Sequence, residues 1–420
     1  MNKQIKLAVA SAVLAMGASS AQAGIIIPAG DWTVDINGNV NAYYIYNHSN
    51  DSNVIAGGLA NTQGSNGSNS SAINTGLLPS WLGVSGKTRQ NDLDVGFTIS
   101  FQPGTSSTHA LSGGNANVSG GNENRQAFLT FGDKSWGSIK LGKDLGVFGS
   151  DAILNDMTLL GVGSQGLVGT GGGTTTTLGR IGTGYMYADF KGQMNYSSPD
   201  WNGFQFTVGI DQPWQTLNLS TSSASSAGNQ KQPAFEGKAS YSWGGDFSGK
   251  VWGEGWSQKV EGVSVNGSTT NTTSETASVF GIGGKVGFAG ADLVGYYYDG
   301  KGVGTTDMLM DGFSSTGAKR NSSGGYVQGT YKIENTKLGL SWGESKLSTA
   351  GGDGANQNPN GTLTTVGQLV EKNEMWTGGV YHALTKSLNL VAEYSVVKAK
   401  NQDGQTNTSD IFSVGGILFF

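Results

Sequence analysis

Leu93-Asp94-Val95-Gly96-Phe97-Thr98-Ile99-Ser100-Phe101 alternates without a break. In an extended chain the five apolar side chains fall on one face, and Asp94, Gly96, Thr98 and Ser100 on the other. One face suits lipid and the other water. The pattern recurs at Phe204, Phe206, Val208 and Ile210 against Gln205, Thr207, Gly209 and Asp211, and again at Leu388, Leu390, Tyr394 and Val396 against Asn389, Glu393 and Ser395. A soluble β-sandwich alternates in the same way. The spacing of the strands separates the two.

Sixteen strands are expected near Asp31–Tyr46, Leu77–Lys87, Asp92–Phe101, Asn124–Phe131, Trp136–Gly142, Lys191–Ser197, Gly203–Asp211, Ala234–Trp243, Phe247–Trp256, Ala277–Phe288, Ala291–Asp299, Gly324–Lys332, Thr336–Glu344, Glu374–Ala383, Leu388–Lys398 and Ser409–Phe420. Short turns and long Ser, Thr, Asn and Gly-rich loops alternate between them, which is the layout of an all-β transmembrane barrel. The long loops, 1 to 8, run near 47–76, 102–123, 143–190, 212–233, 257–276, 300–323, 345–373 and 399–408. Trp136, Trp201 and Trp243 fall near short turns, and Tyr44, Trp342 and Trp376 nearer long loops, as two interfacial belts require.

Composition agrees. The chain has 420 residues, with 70 Gly, 7 Pro, no Cys and 36% hydrophobic residues, lean for a soluble core of this size. Met1 to Ala23 has a basic start, an apolar run and the tripeptide Ala21-Gln22-Ala23, so a secretory signal cleaved after Ala23 is expected. Past it no run reaches the ~20 apolar residues of a membrane helix. Its removal leaves 23 basic against 30 acidic residues, a net charge of −7. That argues against nucleic acid as a partner. An exported chain without cysteine has neither disulfides nor thiolate metal sites.

Loop 3, Lys143 to Arg180 in its central part, carries the helix. Ser150 is the expected N-cap, Asp151 sits at the positive end of the dipole, and Gly161 is the expected stop. Ile153, Met157 and Leu160 share one side; Asp151, Asn155 and Thr158 share the other. The expected arrangement rests the apolar face on the barrel wall and turns the polar face to the lumen, with Asp156 toward the edge of the apolar side. A surface loop with a stray helical turn is the alternative.

Several motifs resemble the Gram-negative general porins. Tyr381-His-Ala-Leu-Thr-Lys386-Ser-Leu-Asn-Leu-Val-Ala-Glu-Tyr394 is similar to their late hairpin, and Tyr196-Ser-Ser-Pro199-Asp-Trp-Asn-Gly203-Phe204 to one of their turns. Arg125-Gln-Ala-Phe-Leu-Thr-Phe131, followed by Trp136-Gly137 and Leu141-Gly142-Lys143, resembles another strand pair, and the chain ends on Phe420. The resemblance implies a trimeric sixteen-stranded diffusion channel in the outer membrane of a Gram-negative bacterium. Its loop 3 folds inward, and its terminal aromatic is read by the assembly machinery. Lipid and lipopolysaccharide are the implied surroundings, and small hydrophilic solutes the cargo.

On that reading Asp151, Asn155 and Asp156 are the constriction candidates. Lys87, Asp94, Lys140 and Glu393 face the lumen by strand parity, and the resemblance adds Arg125, Lys143 and Arg180 to the wall. Where the family often has an arginine early in the second strand this chain has Trp81, and its arginines are only Arg89, Arg125, Arg180 and Arg320. With an acidic mature chain, weak cation preference or little selectivity is expected. Two alternatives stand beside the open channel: a substrate-selective porin with Trp81, Trp252 and Trp256 as a track for sugars or small organic acids, and a non-conducting adhesive barrel. An enzyme is disfavoured. His48, His109 and His382 have no metal spacing, no His-Glu-x-x-His occurs, and Gly161-Val-Gly163-Ser-Gln-Gly166 matches a dinucleotide fingerprint without its βαβ context.

Overall fold

A computed structural model describes residues 24–61, 67–105, 122–165, 176–353 and 366–420. The signal segment lies outside them. Eighteen strands occur among the described residues. They are β1 (Ile25–Ala29), β2 (Trp32–Ser49), β3 (Asn69–Asn74), β4 (Trp81–Gln90), β5 (Leu93–Pro103), β6 (Asn122–Asp133), β7 (Gly137–Leu145), β8 (Phe190–Ser197) and β9 (Phe204–Asp211). They continue as β10 (Ala234–Trp243), β11 (Phe247–Val265), β12 (Ser268–Phe288), β13 (Ala291–Lys301), β14 (Asn321–Ile333), β15 (Thr336–Leu347), β16 (Val370–Ala383), β17 (Leu388–Asn401) and β18 (Thr406–Phe419).

Sixteen of these, β2 and β4 to β18, pair antiparallel in chain order and form the wall. The barrel closes where β18 meets β2, from Ser409 opposite Ser49 to Phe419 opposite Asn39. All sixteen coincide with expected strands. The two extra strands lie along β2, which is longer than its neighbours' overlap. β1 covers Trp32–Ile36, while β3 covers Tyr43–His48 on the edge that β4 leaves open. No backbone edge on that strand is left to lipid, where each unpaired N–H or C=O is costly.

Along β5, Ile99 and Phe101 are exposed while Thr98 and Ser100 are buried. The apolar face looks outward, as in a barrel in lipid and opposite to a soluble sandwich. Two expected loops are largely strand. Loop 5 is a hairpin, with β11 and β12 extended to a turn at Asn266 and Gly267, both at positive φ; the Asn-Gly pair is the signal that composition alone obscured. Loop 8 shortens to 402–405 in the same way.

The apolar core sits inside the barrel. Phe148, Ala152, Ile153, Leu159, Tyr185 and Met186 of loop 3 pack with Trp252, Tyr296 and Tyr326 of the wall. A second cluster joins Met157 and Val162 to Tyr43, Met375, Tyr381 and Val391. Loop 6 also folds inward, since the Tyr187 N–H donates to Thr306 O at 2.9 Å.

Candidate functional site

Loop 3 is strapped to the wall by side chains that strand parity turns inward. Its helix α1 spans Ser150–Asn155 but is capped by Gly149, at φ 78°, and not by Ser150, whose hydroxyl donates back to Val147 O. At Asp156 the backbone turns extended, and a short 3₁₀ turn, Met157–Leu160, follows before Gly161. The break has a local cause. The Asp156 carboxylate accepts from the Thr158 N–H at 2.9 Å and so competes with continued helix. The same group accepts from Thr158 Oγ1, the Arg180 N–H and Tyr185 Oη. Asp156 is therefore buried and ties the two limbs of the loop together, where its side of the helix had suggested a marginal place at the constriction.

The strap runs across the wall from β10 to β17. Glu236 accepts from the Val147 and Phe148 N–H groups at 2.9 and 3.1 Å. Glu254 accepts from the Gly149 N–H at 3.0 Å and from Tyr296 Oη. Tyr326 Oη donates to Ala152 O, and Gln328 both donates to Asn155 O and accepts from the Met157 N–H. Glu393 accepts from the Val162 and Gly163 N–H groups at 2.8 and 2.9 Å and from Tyr381 Oη at 2.6 Å. Those to the three glutamates are charge-assisted, the stronger kind, while those of Tyr326 and Gln328 satisfy buried backbone groups. Glu393 faces inward as parity required, but loop 3 covers it. Arg180 is fully buried and donates to Met375 O, so neither residue meets water as a wall charge.

Asp151 binds the ammonium groups of Lys238, at 2.7 Å, and Lys250. Burial works to raise its pKa, but the two lysines outweigh it and hold the carboxyl below its ordinary value. Asn155 is half-buried and donates to Asp151 O. Of the wall residues, Lys87 is exposed, Asp94 pairs with Arg89 at 2.9 Å, and Lys140 pairs with buried Asp144. Arg125 pairs with Glu123 at 2.9 Å and lies over the Phe190 ring.

The same parity turns inward a basic row that the sequence reading did not single out. Lys250 stands directly opposite Lys285, and Lys332 directly opposite Lys337, each pair on the inward face of neighbouring strands near the short turns. Like charges directly opposite in a sheet cost stability, roughly 0.2–1 kcal/mol. Lys285 meets Asp292 only at 3.5 Å, with both side chains substantially exposed, and such a pair contributes little. Lys87, Lys332 and Lys337 have no ion pair among the described residues. The proposed tryptophan track does not form: Trp81, Trp252 and Trp256 are buried, with Trp81 against Phe419 and Trp252 against Tyr296.

A chamber of about 400 Å³ lies between loop 3 and the wall. Leu77, Leu145, Ile153, Leu154 and Leu159 line it, with Arg125, Lys143, Glu123 and Asp189 among its polar groups. Burial pushes the Asp189 carboxyl up from its ordinary value. No group of metal-ligating side chains occurs among the described residues. His48 bonds Asn69 and His382 bonds Thr336, while His109 lies outside the described residues.

The family comparison matches residues 10–402 to the Gram-negative porins. The chain belongs to the Gram-negative porin family. This porin has no match among curated proteins. Among solved structures it resembles the outer membrane channel DcaP of Acinetobacter baumannii, at 16% identity and TM-score 0.67 over 94% of this chain and 99% of that one. It also resembles the outer membrane protein OmpT of Vibrio cholerae, at 17% identity and TM-score 0.55 over 94% and 100%. A third is Salmonella typhi OmpF in complex with daunomycin, at 14% identity and TM-score 0.54 over 94% and 100%. These likenesses carry the fold; with the family they make this porin an outer-membrane channel for passive diffusion.

Proposed function

We propose that the channel passes small hydrophilic solutes with a preference for anions, and that it does no catalysis. One observation carries this. The inward carboxylates Glu236, Glu254 and Glu393 are buried against loop 3 backbone N–H groups, whereas Lys87 and Lys332 are exposed and Lys250, Lys285 and Lys337 partly so. The acids fasten the loop, with Lys191 buried on Glu236 and Lys238 paired with Asp151, and the lysines near the short turns face the water. The facing acids of that half, Asp35, Asp94 and Asp292, do not offset the row. Charged rings of one sign set the selectivity of a pore. This reverses the cation preference that the net charge suggested, because net charge counts the exposed outer loops and the pore does not.

The test is the reversal potential of reconstituted protein in a potassium chloride gradient. A sign favouring chloride supports the reading, and one favouring potassium overturns it.

The same reading takes the protein as exported, cleaved after Ala23, inserted through recognition of Phe420, and trimeric, as one form of Vibrio cholerae OmpT is. On the outer face, Lys346, Lys372 and Lys400 stand in cross-strand register above the paired Trp342 and Trp376. Its lysines pair with Glu344, Glu374 and Glu371, and this mixed row at the outer rim suits the phosphates of lipopolysaccharide. Co-purified lipopolysaccharide that is lost from the triple glutamine variant is the expected result.

A further inference from the structure

We infer that the chamber beside loop 3 is a solute subsite for small carboxylates with an apolar body, of benzoate or hexanoate size. The inference rests on the anion-channel reading and names the solute class within it. A diffusion lumen needs only polar walls, yet this chamber is lined by Leu77, Leu145, Ile153, Leu154 and Leu159, from three separate parts of the chain. Its volume of about 400 Å³ lies in the range of small-molecule sites, about 300–1,000 Å³, which are apolar with a few placed polar groups. Lys143 lines the chamber and forms no ion pair among the described residues. Its register opposite Ala127 and Gly192 puts it on the outward face of β7, opposite to Lys140, so it meets the chamber from the rim and not from the lumen wall. Arg125 pairs with Glu123 at 2.9 Å, lies over the face of Phe190, and turns its other two guanidinium nitrogens to Tyr187 Oη and Thr176 Oγ1, each at 3.5 Å, so a solute carboxylate would compete with these long contacts. An ammonium and an oriented guanidinium over a leucine floor suit one carboxylate on an apolar body. Glu123 and Asp189 also face the chamber and balance its two cations, so they weaken binding of one solute carboxylate and oppose a second more strongly.

The test is ion-current interruption by benzoate and by acetate in symmetric potassium chloride, with equilibrium binding of both acids to the detergent-solubilised trimer by calorimetry. Benzoate acting at concentrations at least about tenfold lower than acetate, a difference of about 1.4 kcal/mol, is expected. Leu154→Asn abolishes that ratio, and Lys143→Gln weakens benzoate and acetate alike. Equal potency of the two acids overturns the subsite; if chloride is still preferred, the anion channel stands without it. Potassium preference with a retained benzoate advantage overturns the anion reading and leaves the chamber. Calorimetry decides the case where no current is seen.

A second observation is independent. We propose that the α-ammonium released at Gly24 by signal cleavage pairs with Asp35. A Cβ built on Gly24 lies 2.3 Å from Asp35 Oδ1, and that oxygen is buried without a hydrogen-bond partner. Gly24 immediately precedes β1, whose ladder to β2 pairs Ile26 with Asp35 and so fixes the approach. Cleavage one residue away would misplace the charge by about 3.8 Å. The check is a double-mutant cycle on refolded protein beginning at Ala23 or at Gly24, each made with Asp35 intact and with the substitution Asp35→Asn. Faster unfolding of the form beginning at Ala23 only when Asp35 is intact is expected. An equal effect in both backgrounds, or none in either, overturns the pair.

Discussion

Glu254 and Lys285 sit on neighbouring strands, both turned into the barrel, yet one is sealed under loop 3 and the other reaches water. The same contrast runs around the lumen. Carboxylates on β10, β11 and β17 accept backbone N–H groups of the loop, while lysines on β4, β11, β12, β14 and β15 remain toward the short turns. The chemistry explains the division. A carboxylate takes several N–H donors at once and so fastens a chain segment whose own backbone bonds are unmade. An ammonium only donates, and the loop offers it few free acceptors apart from Asp151. Burial thus takes the three glutamates out of the pore together with Lys191 and Arg180, and leaves the lysines near the short turns in it.

The contrast breaks most severely at Glu393. Glu393→Ala leaves two buried N–H groups and the Tyr381 hydroxyl without an acceptor, and a loss of about 3–5 kcal/mol is expected. Unfolding in denaturant, followed with conductance noise, checks it; wild-type stability would mean that loop 3 is held elsewhere. Glu393→Gln keeps an acceptor and recovers part of the loss.

Gly161→Ala attacks the same contact from the other side. Its Cβ would lie 2.1 Å from Glu393 Oε1, so a smaller cost of about 1–3 kcal/mol is expected from overpacking. An unchanged unfolding midpoint would place the loop farther from β17.

On the basic side, Lys250→Gln with Lys285→Gln is expected to move the reversal potential toward potassium. Relief of the like-charge pair returns roughly 0.2–1 kcal/mol, against the loss of one Asp151 contact. A large drop in stability with unchanged selectivity would make these lysines structural.

The smallest expected change concerns pH. Asp151 has its pKa depressed below 3.8. Its contribution to stability is therefore full above that ordinary value and is lost only as pH falls through the lower, folded one. Conductance and unfolding rate should vary little on account of this clamp from about pH 8 to about pH 5. A transition in that window that disappears in Asp151→Asn would show that the two lysines do not hold the carboxylate ionised.

Alternation and the short-long rhythm of connections were legible because each depends on residues near in sequence, whereas the inward course of loop 3 came from the resemblance to the porins, its own residues leaving a surface loop open. The inward parity of Lys87, Asp94, Lys140 and Glu393 was legible for the same reason, since a strand turns its side chains over with every residue. What parity could not show is what stands in front of an inward side chain. Glu393 and Arg180 meet segments of chain far away in sequence, and the tryptophans meet Phe419 and Tyr296 instead of one another. The Asn266-Gly267 turn was readable in principle, hidden among loops of similar composition.

By itself the sequence determined a sixteen-stranded wall and its lipid face, because period and turn chemistry are local and the membrane admits few solutions. The tertiary structure decided which inward charges meet water. That depends on where loop 3 lies, and its position is set by hydrogen bonds between residues as far apart as Gly163 and Glu393.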